Sequence, residues 1–233
     1  VKQGFDAAVQ AMHEHIRRTV MPTRKSDKSY LIQYLIPEDW PMTVYRGDEF
    51  NETNMKKCID LAAALGMEAF ILDGPMWGSA MGNWLIPNQQ RFPNGLAPLV
   101  DYAHKKGLLF GLYVEPEGGR EGSTSPENGA TIGYWSECTT FVQHPEWFLQ
   151  PQARLNLAIP VAASYFASNL TLIVNQYKLD MYRHDYNAPL HGENTETMRS
   201  GFLENDYWRY YDAFYDAFES LHNKYPNLIL QQA

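Results

Sequence analysis

The sequence predicts an α/β protein of the (β/α)8 TIM barrel class, with the first five β/α units present in this chain. Three observations lead there. Short, strongly apolar segments alternate with amphipathic helical ones along the chain. Several of the apolar segments run into an acid, as in Ile71-Leu-Asp73, Tyr113-Val-Glu115 and Tyr177-Lys-Leu-Asp180. Long connections rich in Gly, Pro and Trp, over residues 74–94 and 116–147, leave the carboxyl ends of two of them. Strands this apolar are buried on both faces, as in a parallel sheet covered by helices. Acids gathered at carboxyl ends lie on the face where barrel enzymes carry their chemistry.

Each element has a local reason. Residues 3–20 read as an amphipathic helix ended by Met21-Pro22, and residues 1–28 are expected to be a linker helix leading into a barrel over 29–233. Ser29-Tyr-Leu-Ile-Gln-Tyr-Leu-Ile36 is the first strand. Residues 52–65, closed by Gly66, form a helix with Met55, Ile59, Ala62 and Leu65 at three-to-four spacing. Residues 68–73 are the second strand, 95–106 a helix stopping before Gly107, and 108–115 the third strand. The helix at 159–175 carries Pro160 in its first turn, where a missing N–H costs nothing. A strand at 176–182 follows, and the helix at 205–223 leads into the strand at 227–232.

A chain of 233 residues that is 45% hydrophobic can bury one large core, and α/β barrels run to roughly 250 residues as one unit. The net charge of −8, with no Lys/Arg block longer than a pair, argues against nucleic acid or an anionic membrane as partner. Six Trp and fifteen Tyr suit stacking on sugar faces, although aromatics fill cores as well. Cys58 and Cys138 are too far apart in sequence to frame a metal site or a disulfide scaffold, and both read as free thiols, Cys58 on the buried side of its helix. No apolar stretch reaches bilayer length. No signal peptide precedes the first helix, and Val1 stands where an initiator Met would, so the chain is expected to be processed or cut from a longer one. The compartment stays open between bacterial cytoplasm and export.

The densest polar run is Tyr177-Lys-Leu-Asp-Met-Tyr-Arg-His-Asp-Tyr-Asn187, with Lys178, Asp180, Arg183 and Asp185 close together. Asp180 is the candidate nucleophile, because a cation two residues away favours an ionised carboxylate. The plainer reading makes Asp180 a strand-end cap and Lys178 its structural ion-pair partner. Asp73 belongs either to ordinary Asp-Gly-Pro turn chemistry or to a contact with sugar hydroxyls. Tyr113 can stack on or bond a sugar, while Glu115 and Glu117 brace the mouth of the sheet. Arg154 and Asn156 are candidates to pair with loop carboxylates. Gly118-Gly-Arg-Glu-Gly122 lacks the Lys-Ser/Thr of a phosphate cradle. His184, Asp185 and His191 can be drawn as metal ligands, but strand alternation separates them, so a metal is not expected. An aldolase-type barrel would need Lys178 as its Schiff-base amine and lacks the accompanying phosphate loop.

Seven segments occur together in order: Asp73-Gly-Pro-Met-Trp77, Gly82-Asn-Trp84, Arg91-Phe-Pro-Asn-Gly-Leu96, Gly111-Leu-Tyr-Val-Glu-Pro-Glu117, His144-Pro-Glu-Trp147, Leu155-Asn-Leu157 and Lys178-Leu-Asp-Met-Tyr-Arg183. In order and approximate spacing they resemble the catalytic barrel of glycoside hydrolase family 36, the α-galactosidase-like enzymes of the melibiase clan. The resemblance runs from about residue 30 to the end and implies a retaining α-glycosidase acting on an α-galactoside oligosaccharide or glycoconjugate. By match to a Lys-Trp-Asp motif, it makes Asp180 the nucleophile and Lys178 a sugar contact. Asp73 matches the acid that binds the galactose 4- and 6-hydroxyls, and Tyr113 stands where the family has a substrate-facing Trp. Trp77, Trp84, Arg183 and Asp185 complete the implied substrate-binding set. The run Tyr182-Arg-His-Asp-Tyr-Asn187 is similar to a branch carrying Tyr-Arg-Gln-Asp-Phe-Asn, and Trp84 fits that branch.

Gly74 stands where the family often has a second acid, so N-acetylgalactosamine or another α-linked sugar stays open beside galactose. Retaining hydrolysis needs a second carboxyl about 5–5.5 Å from the nucleophile. In the family it lies in a Gly-Gly-Arg-containing segment just after a strand similar to Leu228-Ile-Leu-Gln-Gln-Ala233, and it is therefore expected beyond this chain. Glu204 and Asp206 precede the last helix, at the wrong barrel position. A sugar-binding or structural barrel without the acid/base is the alternative from another class. Family members often oligomerise, which makes a homo-oligomer a partner to consider.

Overall fold

The structure, a computed structural model, describes residues 4–20, 33–36, 45, 49–74, 77–79, 83–117, 139–149, 154–185 and 196–232. The start of the first predicted strand, the Gly-rich loop at 118–122, Cys138 and His191 lie outside them. The chain divides into two units, residues 1–31 and 32–233. In the first, α1 (Gly4–His15) continues into a π-helical turn at Ile16–Val20, and α1 buries no residue.

The second unit is built on a parallel sheet. In chain order its strands are β1 (Gln33–Ile36), β2 (Ala69–Leu72), β3 (Leu109–Val114), the short pair β4 (Phe148–Leu149) and β5 (Arg154–Leu155), β6 (Met181–His184), the hairpin β7 (Glu196–Arg199) and β8 (Phe202–Asn205), and β9 (Ile229–Gln232). Strands β1, β2, β3, β6 and β9 form one five-stranded sheet in that order, every neighbouring pair parallel. The predicted α/β class with sequential parallel strands is therefore observed.

The helices are α2 (Glu52–Ala64), α3 (Ala97–Lys105), α4 (Thr139–Gln143), α5 (Pro160–Tyr177) and α6 (Asp206–Lys224). Asn51 caps α2 by accepting a hydrogen bond from the Asn54 N–H. Met55, Cys58, Ile59 and Ala62 form the expected buried stripe of α2. Leu65, placed on that stripe by periodicity, is the C-cap and is exposed, because the chain leaves the helix there and turns at Gly66 with φ 73°.

One boundary differs in a way that decides the site. Periodicity ends a helix at 175 and starts a strand at 176, whereas α5 runs on to Tyr177 and β6 starts at Met181. Tyr177 is buried, donates its hydroxyl hydrogen bond to the Trp84 carbonyl at 2.8 Å, and sets its ring edge-on to Trp77 at 5.4 Å. Those contacts hold the last turn helical. Lys178 then caps the helix in the left-handed region at φ 49°, a conformation that costs a non-glycine residue about 1 kcal/mol or more.

Alternation along the strands sorts the side chains. Phe70, Leu72, Phe110, Leu112, Val114 and Tyr182 join the buried core with the helices. Ile71, Gly111 and Met181 lie side by side in register on the opposite face, also buried except for the glycine's missing side chain. Gly111 is required there: a Cβ would lie 3.1 Å from Met181 Cβ and 3.2 Å from Ile71 Cγ1.

Candidate active site

Two residues further along each strand, at Asp73, Tyr113 and Arg183, the same face becomes polar. Strand register continues from Leu72 beside Leu112 to Asp73 beside Tyr113, sets Tyr113 beside Arg183, and sets Arg183 beside Gln231. Asp185 follows β6 directly, on the same side as Arg183, with its N–H donated to the Val114 carbonyl at 3.4 Å. The row sits at the carboxyl ends of the strands, where a parallel sheet presents its ligands.

Arg183 joins two acids from two strands. Its Nη2 donates to Asp185 Oδ2 at 2.9 Å, and its Nε lies 3.4 Å from Asp73 Oδ1. Burial raises the Asp73 carboxyl above the usual range; the Arg183 charge opposes that, and the neighbouring Asp185 adds to it. Two residues past Tyr113, Glu115 is fully enclosed and accepts the Tyr113 hydroxyl hydrogen bond. Burial pushes Glu115 well above the carboxylate range. The Tyr113 bond works against the shift, and the charges of Glu117 and Asp185 increase it. Burial, with Glu115 beside it, likewise keeps Tyr113 a phenol.

Trp77 and Trp84, read from the sequence as substrate contacts, stand behind Tyr113 in the core. Both are buried, their rings are 5.3 Å apart, Trp77 Nε1 donates to the Tyr113 carbonyl at 2.8 Å, and Trp84 meets the Tyr113 ring at 6.2 Å. Their role in this structure is to hold Tyr113 and the helix end at Tyr177.

Asp180 and Lys178 are the correction. Asp180 precedes β6 and therefore lies at the amino end of the sheet, away from Asp73, Arg183 and Asp185. There its carboxylate accepts from the Phe110 N–H at 2.9 Å and meets His104 Nε2 at 2.6 Å, while its backbone bonds Phe110 and Ile229. It clips α3, β3, β6 and β9 together. Lys178 is exposed at the helix cap. The strand-end position inferred for Asp180 came from starting the strand five residues too early.

The other face of β6 carries a second polar cluster. His184 Nε2 lies 2.8 Å from Glu117 Oε1, with Arg154 Nη2 at 3.8 Å and the Tyr210 hydroxyl at 3.4 Å from the same oxygen. The rings of Phe214 and Phe218 stand edge-on 5.2 Å from His184. Burial would raise the Glu117 carboxyl, but His184 and Arg154 together bring it below the usual range. Glu117 thus braces the sheet mouth as expected, and Arg154 pairs with it. Asn156 instead accepts from the Ala158 N–H at 3.0 Å within its own turn. Arg199 engages Asp206 at 2.7 Å, and Glu204 is held by Arg199 and Arg209, away from the row. Sequence reading assigned Gln231 nothing, since only the register of β6 with β9 brings it beside Arg183.

A parallel α/β sheet with its polar row at the strand ends defines the class. The family within that class is specific: the family model for Melibiase matches residues 1–233, and the chain belongs to the melibiase family. The resemblance read from the seven motifs is borne out. The chain is 26% identical over 245 residues to alpha-galactosidase Mel36A of Lactobacillus acidophilus, an alignment covering 98% of this chain and 30% of that protein. An alpha-galactosidase of Escherichia coli is 29% identical over 167 residues, covering 64% of this chain and 21% of that protein. Among solved structures, a family 36 alpha-galactosidase from Geobacillus stearothermophilus in complex with stachyose matches with a TM-score of 0.73 at 20% identity, over 96% of this chain and 30% of that one. At that identity the likeness establishes the fold. The chain spans about 30% of the length of the first relatives it matches.

Proposed function

We propose that this chain carries the nucleophile and part of the sugar-binding surface of a retaining α-galactosidase, with Asp185 as the nucleophile. The observation that carries the reading is Arg183, bonded to Asp185 at 2.9 Å and paired with Asp73 at 3.4 Å at the carboxyl ends of the sheet. The guanidinium fixes one Asp185 oxygen and leaves the other for the anomeric carbon, while Asp73 and the Tyr113 platform hold the ring. The five strands are the first five of an eight-stranded barrel. The substrate class is an α-galactoside oligosaccharide, of which stachyose and raffinose, bound in Geobacillus stearothermophilus family 36 structures, are examples.

In this mechanism an Asp185 oxygen bonds to the anomeric carbon as the glycosidic C–O bond breaks. The leaving oxygen takes a proton from a second carboxyl, expected beyond β9 from the family resemblance. Water, deprotonated by that same group, then releases the sugar with net retention.

Trapping the full-length enzyme with a 2-fluoro α-galactosyl fluoride and digesting with trypsin tests the assignment directly, because cleavage after Arg183 separates the two acids. The expected result is one fluorosugar on the peptide beginning His184-Asp185, absent from Asp185→Ala. A label on the peptide holding Asp180 would overturn it. Full-length protein that neither turns over nor labels would make this a sugar-binding barrel.

A further inference from the structure

We infer that Gln231 is a specificity-determining residue that reads a sugar hydroxyl beside Arg183, a role that rests on the glycosidase reading above. Gln231 is the register partner of Arg183, one strand away, about 4.8 Å in a sheet. Its neighbour Leu230 packs on the helix-side core, so the amide belongs to the face that carries Arg183 and Asp185.

Of the seven buried side-chain polar atoms without a hydrogen-bond partner among the described residues, three belong to this row, the others being on Trp84, Glu117, Tyr182 and His184. Asp73 Oδ1, Arg183 Nε and Gln231 Oε1 are each shielded from water and have no hydrogen-bond partner among the described residues. Arg183 Nε and Asp73 Oδ1 face each other at 3.4 Å without hydrogen-bond alignment. Buried polar groups are nearly always bonded; Arg183 Nε and Asp73 Oδ1 meet only as an ion pair, and with Gln231 Oε1 they leave hydrogen-bonding capacity in one register row that a ligand of matching polarity would fill. A sugar hydroxyl donates once and accepts twice. The row offers it an acceptor in Asp73, a donor in Arg183, and both in the Gln231 amide, whichever way the amide is turned. Consecutive ring hydroxyls complement that order.

The neutrality of Gln231 belongs to the design. Arg183 already serves Asp73 and Asp185. A carboxylate at position 231 would compete for the same guanidinium and loosen the Asp185 bond. Gln232, the next residue, alternates to the opposite side of the strand and is not part of the row.

The test compares full-length wild type, Gln231→Leu and Gln231→Glu on p-nitrophenyl α-galactoside, α-glucoside and α-N-acetylgalactosaminide, with galactose binding measured by calorimetry. Gln231→Leu is expected to lose roughly tenfold or more in kcat/KM for the preferred sugar and in galactose affinity, with a narrowed preference among the three. Gln231→Glu keeps the shape and is expected to lose mainly kcat; it supplies the reading where the leucine variant fails to fold. Folded variants whose kcat/KM values and sugar ratios stay within twofold of wild type would overturn the inference and leave the glycosidase reading intact. Wild type that neither turns over nor binds any of these sugars would overturn both.

Discussion

Asp180 and Asp185 stand at opposite ends of the same four-residue strand, β6, about 16 Å apart at roughly 3.3 Å per residue. Asp180 is tied to His104 and the Phe110 N–H at the amino end, and Asp185 to Arg183 at the carboxyl end. Carboxylates that close in sequence therefore have different surroundings, one holding elements together and the other standing at the strand end, where the proposed nucleophile lies.

Substitution separates the tasks. Asp185→Asn is expected to lower kcat by at least about a thousandfold with an unchanged melting temperature, as for removal of a nucleophile. Asp180→Asn is expected to keep kcat within severalfold and to melt a few degrees lower, because it weakens a bond that joins α3 to the sheet. Steady-state kinetics and thermal melts on the two variants decide the point.

Glu115 and Glu117 predict opposite slopes of stability with pH. Glu117 lies below its ordinary range in the fold, so its contribution is complete above the unfolded value near 4.5 and is lost as pH falls through the lower folded value. Glu115 is raised by burial, so the folded state holds the extra proton and stability falls as pH climbs from the ordinary value toward the raised one. Glu115→Gln should therefore be at least as stable as wild type at pH 8. Glu117→Gln, which breaks a fully buried pair, should cost about 3 kcal/mol or more. Urea denaturation at pH 5 and pH 8 measures both.

Asp73 carries a cost in the unliganded fold. Its carboxyl is raised, first by burial, so ionising it opposes folding as pH rises above the ordinary carboxylate value. Asp73→Asn is expected to melt at the same temperature or higher at pH 7 while losing about a hundredfold in kcat/KM, the pattern of a ligand contact held at the expense of stability. A variant that loses stability together with activity would make Asp73 a structural residue.

Burial pushes the Cys58 thiol up to about 11, with Lys57 opposing the shift. At pH 8 its thiolate fraction is then about a thousandth, so alkylation of the native protein should be slow at Cys58 and complete after unfolding. Peptide mass spectrometry after timed iodoacetamide treatment reads this directly.

Gly111→Ala should destabilise by about 1–3 kcal/mol, since the new methyl meets Met181 Cβ and Ile71 Cγ1 inside ordinary contact distance. It lies one step below Tyr113 and Arg183, so a fall in kcat/KM is expected alongside the lower melting temperature.

What the sequence determined by itself was the alternation and its consequences. Apolar runs such as Ala69–Leu72 and Leu109–Val114 had to be strands buried on both faces, and Met55, Cys58, Ile59 and Ala62 had to be one side of a helix. Those properties are local, being set by side-chain period and polarity, and so were the motifs that carry the family. Tertiary structure decided which acid stands at the carboxyl end of the sheet. A cation two residues before an acid occurs twice in the run, as Lys178 with Asp180 and as Arg183 with Asp185, and spacing cannot choose between them. The choice depends on where the helix stops, and that is set by Tyr177 reaching Trp84 and Trp77, which lie about ninety or more residues away in the chain. The same holds for Glu115 and Glu117, identical side chains two residues apart. Both lie past the end of β3, where strand alternation no longer applies, and the folded chain sets one against Tyr113 and the other against Arg154 and His184.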